Sequence, residues 1–341
     1  MNHIYFQDSR NDANDWLGFL LSVQTPDKPK LTLQSATGGH TKLSANEQTI
    51  FWAKIQESFF GVNMWRTLPQ SAQINLLPHI HSADVQAQID LSPVERRNYW
   101  AKWFLQALIQ SHNTPLSQGL WALEYSDQEN RTYNTHQGLQ RHWRNLHSDP
   151  KNTAQFFSAH LLDIDWAMSG NGSIIPLFAP PMDIEHSGRV KWWRKVARDT
   201  GTLPPLLLWF MSGLDAYILL DGHDRLYASL LSGVELDYLI LDSYTERVNF
   251  LDENIQNAVL KQLAIVEQKI IDGIEINPEA ILGIQERLVA VFDDRLVRVT
   301  RTRATLNLSK EQWLKEVGAF TQTLKHQQPH QPPEWFDVDE V

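Results

Sequence analysis

Five consecutive residues in the second half of the chain, Asp221-Gly222-His223-Asp224-Arg225, combine side-chain types that acid–base and phosphate chemistry use. The imidazole of His223 is suited to general acid–base catalysis, and the carboxylates of Asp221 and Asp224 are candidates for holding Mg²⁺. Gly222 permits a sharp turn or the close approach of a ligand, and Arg225 supplies a fixed positive charge. We call this pentapeptide the 221–225 junction and treat it as a candidate site.

The flanking sequence predicts the elements that position the junction. Apolar runs at 206–211, 217–220 and 236–241 lack clean polar alternation, which is typical of strands buried on both faces. Ser212-Gly213 separates the first two runs, and leucines at helical spacing separate the second run from the third. The order is therefore strand, tight turn, strand, helix, strand. The junction lies at the start of the helix, where unpaired amides attract an anion.

A purely structural interpretation of the junction is also open. Asp221 would cap the helix, and Arg225 would pair with Asp221 or Asp224. A positive charge in the first helical turn is unfavourable against the helix dipole unless a negative group binds it. The two interpretations therefore differ in whether the partner of Arg225 is a protein carboxylate or a bound anion.

The patterns G-x-L-P-P-x-L-x-W and Y-I-L-L-D-G-H-D-R-L-Y-A carry a resemblance to a known family. With Gly201, Pro205, Gly222, Arg225 and Ala228 at matching positions, residues from about 165 to 245 resemble the ParB/sulfiredoxin-like domain. The resemblance implies an α+β fold with a small mixed sheet and packed helices. It also implies a nucleotide phosphate site at Gly222, His223 and Arg225.

Two departures from the family pattern bear on activity. Sulfiredoxin chemistry needs a cysteine at position 223, and this chain contains no cysteine, which excludes that activity. Many relatives have a second histidine where this chain has Asp224, and a carboxylate there repels phosphate unless a metal ion or Arg225 neutralises it. The departures favour a turn that is retained as a scaffold.

Composition limits the classes of partner. The chain has 341 residues and a net charge of −10, which favours a basic protein partner and disfavours nucleic acid. The absence of cysteine excludes disulfides and cysteine metal sites, and no metal site is assigned. No apolar run is long enough to cross a bilayer and the N-terminus does not resemble a signal peptide, so we expect a cytoplasmic protein that does not contact a membrane.

Thirteen tryptophans are an unusually large number for this length. They are either aromatic anchors of the core or part of a protein interface, where tryptophan is enriched. We expect a Trp-rich helical N-terminal region at 1–165, the ParB/sulfiredoxin-like domain with C-terminal helices and a hairpin at 166–325, and a flexible acidic tail at 326–341.

Several helices are predicted by caps and apolar spacing. Ser44 and Glu47 form a capping-box pattern that predicts a helix ending at Gly61, and Ser92-Pro93-Val94-Glu95 predicts a second helix. A third, at 186–198, has one basic face, which is either a solvated face or a patch that helps to hold an anion near Arg225. A long helix after Asp252 has a predicted inward face formed by Ile255, Val259, Leu263, Val266 and Ile270.

Two functional hypotheses follow, and a third, DNA binding, is disfavoured by the charge. The first is a protein-binding module on a ParB/sulfiredoxin-like scaffold, such as an antidote (immunity) protein of the bacterial cytoplasm that neutralises a basic toxin. The alternative is a nucleotide-dependent phosphotransferase or hydrolase. In that enzyme Gly222 and Arg225 would grip phosphate, His223 would be the general acid or base, and Asp221 or Asp224 would hold Mg²⁺.

Overall fold

A computed structural model describes residues 3–327 with the exception of 12–13, 26–30, 47, 57–60, 68–75, 112, 126–131, 135–139, 143–159, 166–172, 178–185, 249–252, 275–280, 282, 286, 289–291 and 293–295. Most of the predicted acidic tail therefore lies outside the described residues. The chain forms two compact units, one from Met1–Tyr244 with Thr300–Val341 and one from Thr245–Val299. The division predicted at residue 165 stays a prediction.

The strands among the described residues are, in chain order, β1 (His3–Arg10), β2 (Trp16–Thr25), β3 (Leu31–Ala36), β4 (His40–Ala45), β5 (Gln48–Ile55), β6 (Gly61–Arg66), β7 (Gly119–Tyr125), β8 (Thr132–Asn134), β9 (Gln140–His142), β10 (Leu161–Asp165), β11 (Ser173–Pro176), β12 (Leu206–Met211), β13 (Ala216–Asp221), β14 (Tyr238–Val248) and β15 (Leu296–Thr300). The α-helices are α1 (Ser82–Gln86), α2 (Pro93–Gln110), α3 (Gly188–Thr200), α4 (His223–Ser232), α5 (Glu253–Ile271) and α6 (Lys310–Gln327).

The larger sheet carries the junction. Its main path has the strand order β1-β2-β7-β14-β12-β13-β11. Strand β12 is parallel to β14 and antiparallel to β13, and β13 is parallel to β11, so the sheet is mixed. Helix α2 contacts β2 and β7, and helices α3 and α4 contact each other. The predicted α+β class with a mixed sheet and packed helices is confirmed.

The predicted order of strand, turn, strand, helix, strand around the junction is confirmed by β12, β13, α4 and β14. All six residues of β12 are buried, as expected for a strand covered on both faces. Ser92 caps α2 and forms a capping box with Glu95, so this predicted helix start is also confirmed. The helix predicted at 186–198 is α3, which buries Val190, Trp193 and Val196.

The helix predicted from Ser44 to Gly61 is wrong, because the described residues of this segment contribute to β4, β5 and β6 of a second sheet with the order β10-β6-β5-β4-β3. Asn46 adopts a positive φ of 50° in the tight turn that joins β4 to β5. The following Thr49, Ile50 and Phe51 are β-branched or aromatic, so they favour a half-buried strand over a helix. Antiparallel pairing between the two strands outweighs the capping pattern of the sequence.

Tryptophan serves the core wherever it is described. Seven of the ten described tryptophans are buried and the other three are half-buried. Trp313 of α6 illustrates the role, because its ring meets that of Trp65 at 5.3 Å and its Nε1 donates to the carbonyl of Thr41 at 2.8 Å. Of the two interpretations of the tryptophan content, the described residues support the one that places them in the core.

Helix α5 lies in the second unit and departs from its predicted burial. Val259 is its buried residue, Leu263 and Val266 are half-buried, and Ile255 and Ile270 are each 52 % exposed. The prediction that Ile255 and Ile270 face inward is therefore wrong. The spacing correctly marks one apolar face, but sequence periodicity does not reveal whether a neighbouring element covers its full length. No described helix is both long and apolar enough to cross a membrane.

Candidate functional site

The junction is the turn between β13 and α4, and Gly222 makes the turn. Gly222 has φ 108° and ψ 21°, in the left-handed region that favours glycine. A Cβ there would lie 2.6 Å from Cδ2 of Leu206 and 2.9 Å from Nη2 of Arg225. Backbone conformation and packing are therefore enough to require a glycine here, without any ligand.

Arg225 is buried, at 3 % exposure, and it bonds to the protein on two sides. Its Nη2 donates to Oδ2 of Asp221 at 2.5 Å and to the carbonyl of Pro205 at 3.1 Å. Its guanidinium carbon lies 5.3 Å from the ring centroid of Trp193, within cation–π range. The pairing with Asp221 expected under the structural interpretation is confirmed.

The same pairing changes how helix α4 begins. The N-cap residue of α4 is Gly222, so Asp221 does not occupy the N-cap position predicted for it. Asp221 Oδ2 accepts from Arg225, one turn further along the chain, where it offsets the unfavourable position of a cation near a helix N-terminus.

His223 is neutral over most of the pH range in which proteins work. Burial lowers its pKa to about 4, the charge of Asp221 opposes this shift, and the charges of Arg66 and Arg225 reinforce it. A general acid or base operates best when its pKa lies near the working pH. His223 in this environment adds no positive charge for phosphate and is poorly matched to proton transfer near pH 7.

The pKa of Asp224 shifts in the opposite direction. Burial raises its pKa, the charges of Arg189 and Arg225 oppose the increase, and the charge of Asp221 adds to it. The carboxylate therefore lies among arginines but in a poorly hydrated position. Asp224 thus places a carboxyl group at the position where the resembled family often has a second histidine.

Arg66 is a member of the site that the sequence did not indicate. It ends β6 in the second sheet, is fully buried, and its Nη1 donates to the carbonyl of Pro176 at 2.5 Å. Burial lowers its pKa to about 10, so it still carries a positive charge at neutral pH. No local signal could have found it, because only the folded chain brings β6 near His223.

The basic face predicted on α3 contributes one residue to the site. Arg189 donates through Nη2 to the carbonyl of Ile80 at 2.6 Å, and its guanidinium lies 5.0 Å from the ring of Trp193, which Arg225 also faces. Burial and the nearby charge of Arg225 lower the pKa of Arg189. The four other basic residues of this face are exposed, namely Lys191, Arg194, Lys195 and Arg198.

The site is thus a cluster of three arginines and two carboxylates around a neutral histidine. The structure brings all five residues of the junction together with Arg66 and Arg189, and each arginine donates to a protein oxygen. Among the described residues, no group of three or more His, Asp or Glu side chains could hold a metal ion. The ion pair with Asp221 offsets the charge of Arg225, whereas Arg66 and Arg189 donate to backbone carbonyls.

Comparison with known proteins adds no relative. No family model matches the chain, and no curated protein and no solved structure matches it significantly. The resemblance to the ParB/sulfiredoxin-like domain therefore stays a prediction that rests on the motif residues of the 201–228 segment.

Proposed function

We propose that this chain is a protein-binding module on a ParB/sulfiredoxin-like scaffold and that its partner is a basic protein. The observation that carries the proposal is the apolar face of α5. Ile255, Val259, Leu263, Val266 and Ile270 lie on one side of the helix at helical spacing, yet Val259 alone among them is buried.

The exposed apolar side chains are concentrated in this unit. Seven of the twelve large exposed hydrophobic residues of the described chain fall within it: Ile255, Leu260, Ile265, Ile270, Ile271, Ile274 and Phe292. Clustered apolar exposure marks interaction surfaces, and an amphipathic helix commonly docks its apolar face into a partner's groove. On the apolar face of α5 the exposed members are Ile255 and Ile270, at its two ends, and we take these two side chains as the docking ridge.

The state of the junction supports a binding role over catalysis. Arg225, which would have to grip phosphate in an enzyme, is committed to Asp221 and Pro205, and His223 has a pKa far below neutrality. The net charge of −10 supplies the complementarity for a basic partner and would speed its association by long-range attraction. An antidote that neutralises a basic toxin is the specific form that we propose.

The experiment first captures a protein partner with the wild-type chain. It then compares binding of that partner by the wild type, by one double variant and by one single-site control. Ile255→Lys with Ile270→Lys places charges on the ridge, and Leu306→Lys, at an 88 % exposed leucine, is the matched control. Binding is then measured by calorimetry with the captured, purified partner. We expect a basic protein that binds the wild type and the control equally, binds the double variant at least about tenfold more weakly, and associates more slowly in high salt. Equal binding by all three proteins would refute the ridge as the docking surface.

A second candidate, nucleotide binding, is favoured by one specific feature. The charges of Arg66, Arg189 and Arg225 all act on residues at the start of helix α4. Phosphate binds well at helix N-termini flanked by arginine. In this candidate Gly222 and Arg225 contact the phosphate, and binding has to break or share the Asp221–Arg225 pair.

A further inference from the structure

The first strand of the chain forms an open edge of the larger sheet. Strand β1 pairs with β2 on one side, and no strand of the described chain pairs with its other side. Six of its eight residues are exposed. Its outer backbone donors and acceptors are thus available to another extended strand.

Two other sheet edges of the described chain, those of β11 and β3, are protected. Strand β11, at the opposite end of the path, has only four residues and ends at Pro176. At the edge of the second sheet, Ser35 of β3 donates to the carbonyl of Thr305 at 2.9 Å and the amide of Thr305 donates back to Leu33 at 2.9 Å. Short strands, proline and covering segments are the usual means of blocking an edge.

Strand β1 has none of these protections along its centre. Its sequence, HIYFQDSR, contains neither proline nor lysine. The register with β2 shifts only at the two ends, between His3 and Ile4 and between Ser9 and Arg10, and is regular from Ile4 to Ser9. The central six residues form a straight edge that is suited to pairing.

Two aromatic side chains are exposed at this edge. Tyr5 is 58 % exposed and Phe6 is 56 % exposed. The ring of Phe6 meets the buried ring of Phe19 edge-to-face at 5.8 Å, so one side of Phe6 is packed and its other side is open. A neighbouring strand would cover that open side.

We propose that the occupant of this edge is a second copy of the chain, paired antiparallel through β1 with Phe6 opposite Phe6. A twofold axis there places Tyr5 opposite Gln7 and Ile4 opposite Asp8 of the other copy, so no like charges face each other. The two Phe6 rings complete an aromatic row that begins and ends at Phe19. The two sheets become one continuous sheet across the dimer.

Local charge favours a second copy over a strand of a basic partner. Asp8 and Arg10 of β1 form an ion pair at 3.4 Å, so the edge has no net negative charge to select a basic strand. The chain as a whole carries −10, so two copies repel each other at long range. The dimer is therefore expected to tighten as salt screens this repulsion, whereas a complex with a basic protein weakens.

Sedimentation equilibrium of the unmodified protein tests the association directly. We expect a monomer–dimer equilibrium that shifts toward dimer with concentration and with added salt. Phe6→Asp, which sets two carboxylates opposite each other, should raise the dimer Kd by about tenfold or more, while Leu306→Asp leaves it unchanged. A protein that stays monomeric up to about 0.1 mM, or a dimer that ignores Phe6→Asp, would overturn the proposal.

The register is tested by cross-linking, which the absence of cysteine from the chain makes specific. Directly opposed residues in antiparallel strands have Cβ atoms close enough for a disulfide after small adjustments. Mild oxidation of Phe6→Cys should give a covalent dimer in non-reducing electrophoresis, and Leu306→Cys should remain monomeric. Circular dichroism confirms that each variant is folded. Equal cross-linking of the two variants, or none at Phe6→Cys, would contradict pairing about Phe6.

Discussion

Arg225 Nη2 lies 2.5 Å from Asp221 Oδ2, across the one turn of chain that joins strand β13 to helix α4. The pair is asymmetric, because the side chain of Arg225 is 3 % exposed and that of Asp221 is 22 % exposed. The buried guanidinium also donates to Pro205 in the segment that enters β12. Arg225, in the first turn of α4, thus links this helix by hydrogen bonds to the end of β13 and to the residue that precedes β12.

Removing the guanidinium should destabilise the fold. Arg225→Ala leaves the half-buried Asp221 carboxylate without its ion partner and the Pro205 carbonyl without this donor. We expect a loss of about 3 kcal/mol in the free energy of unfolding, the lower part of the range for breaking a buried ion pair, since Asp221 keeps some contact with water. Urea unfolding followed by circular dichroism measures the loss.

The matched control is an arginine in an exposed ion pair. Arg198 pairs with Asp199 at 3.1 Å, with side chains 73 % and 48 % exposed. Arg198→Ala should cost less than about 1 kcal/mol, because such pairs contribute little in water. A stable, folded Arg225→Ala protein with a cost no larger than that of the control would show that the Asp221–Arg225 pair is not structural.

Substitution of Gly222, the glycine of the turn, should also destabilise the fold. Gly222→Ala combines a left-handed φ with a Cβ 2.6 Å from Cδ2 of Leu206, so we expect a cost of about 2 kcal/mol or more. Gly188→Ala, in the first turn of α3, meets no atom within 4 Å and should be neutral or slightly stabilising. Thermal and urea unfolding compare the two variants, and similar stabilities for both would refute the close packing at Gly222.

The low pKa of His223 makes stability depend on pH in a defined direction. The folded value is about 4 and the ordinary value is 6.5, so the unfolded chain binds the extra proton between these pH values. The contribution of His223 to the free energy of unfolding is therefore fully present above about pH 6.5. It is lost as the pH falls toward 4, by at most about 3 kcal/mol.

The difference between wild type and His223→Gln isolates this contribution. The raised pKa of Asp224 acts in the opposite direction at low pH, and it is common to both proteins. We expect the wild type to lose more stability than His223→Gln between pH 7 and pH 4.5 in urea titrations. Parallel losses in the two proteins would show that His223 titrates near its ordinary pKa.

The elements around the junction are predictable from local sequence. Apolar runs separated by Ser212-Gly213 and by leucines at helical spacing predict β12, β13, α4 and β14, and Ser92 with Glu95 predicts the start of α2. In these segments cap residues, turn residues and apolar spacing all favour the same element. The segment after Ser44 carries conflicting signals, and its long-range strand pairing decides the outcome.

It is harder to predict from the sequence which residues make up the site. Arg66 has no local feature that connects it to His223, since β6 and α4 are brought together only by the tertiary fold. The exposure of Ile270 is not predictable from the sequence for a similar reason. The periodicity shows which face of the helix is apolar, but it does not show what covers that face. Pairing of Arg225 with Asp221 was one of the open alternatives, and side-chain geometry selects it.

We infer that the 221–225 junction supports the fold and does not bind nucleotide. Isothermal titration calorimetry of the wild-type protein with ATP, CTP, GTP and ADP, each with and without Mg²⁺, tests it most directly. We predict no saturable binding of any of the four nucleotides, because Arg225 is held by Asp221 and Pro205 and His223 is uncharged. Saturable binding of any nucleotide that is lost in a folded Arg225→Ala protein would contradict the claim and support the nucleotide-dependent enzyme.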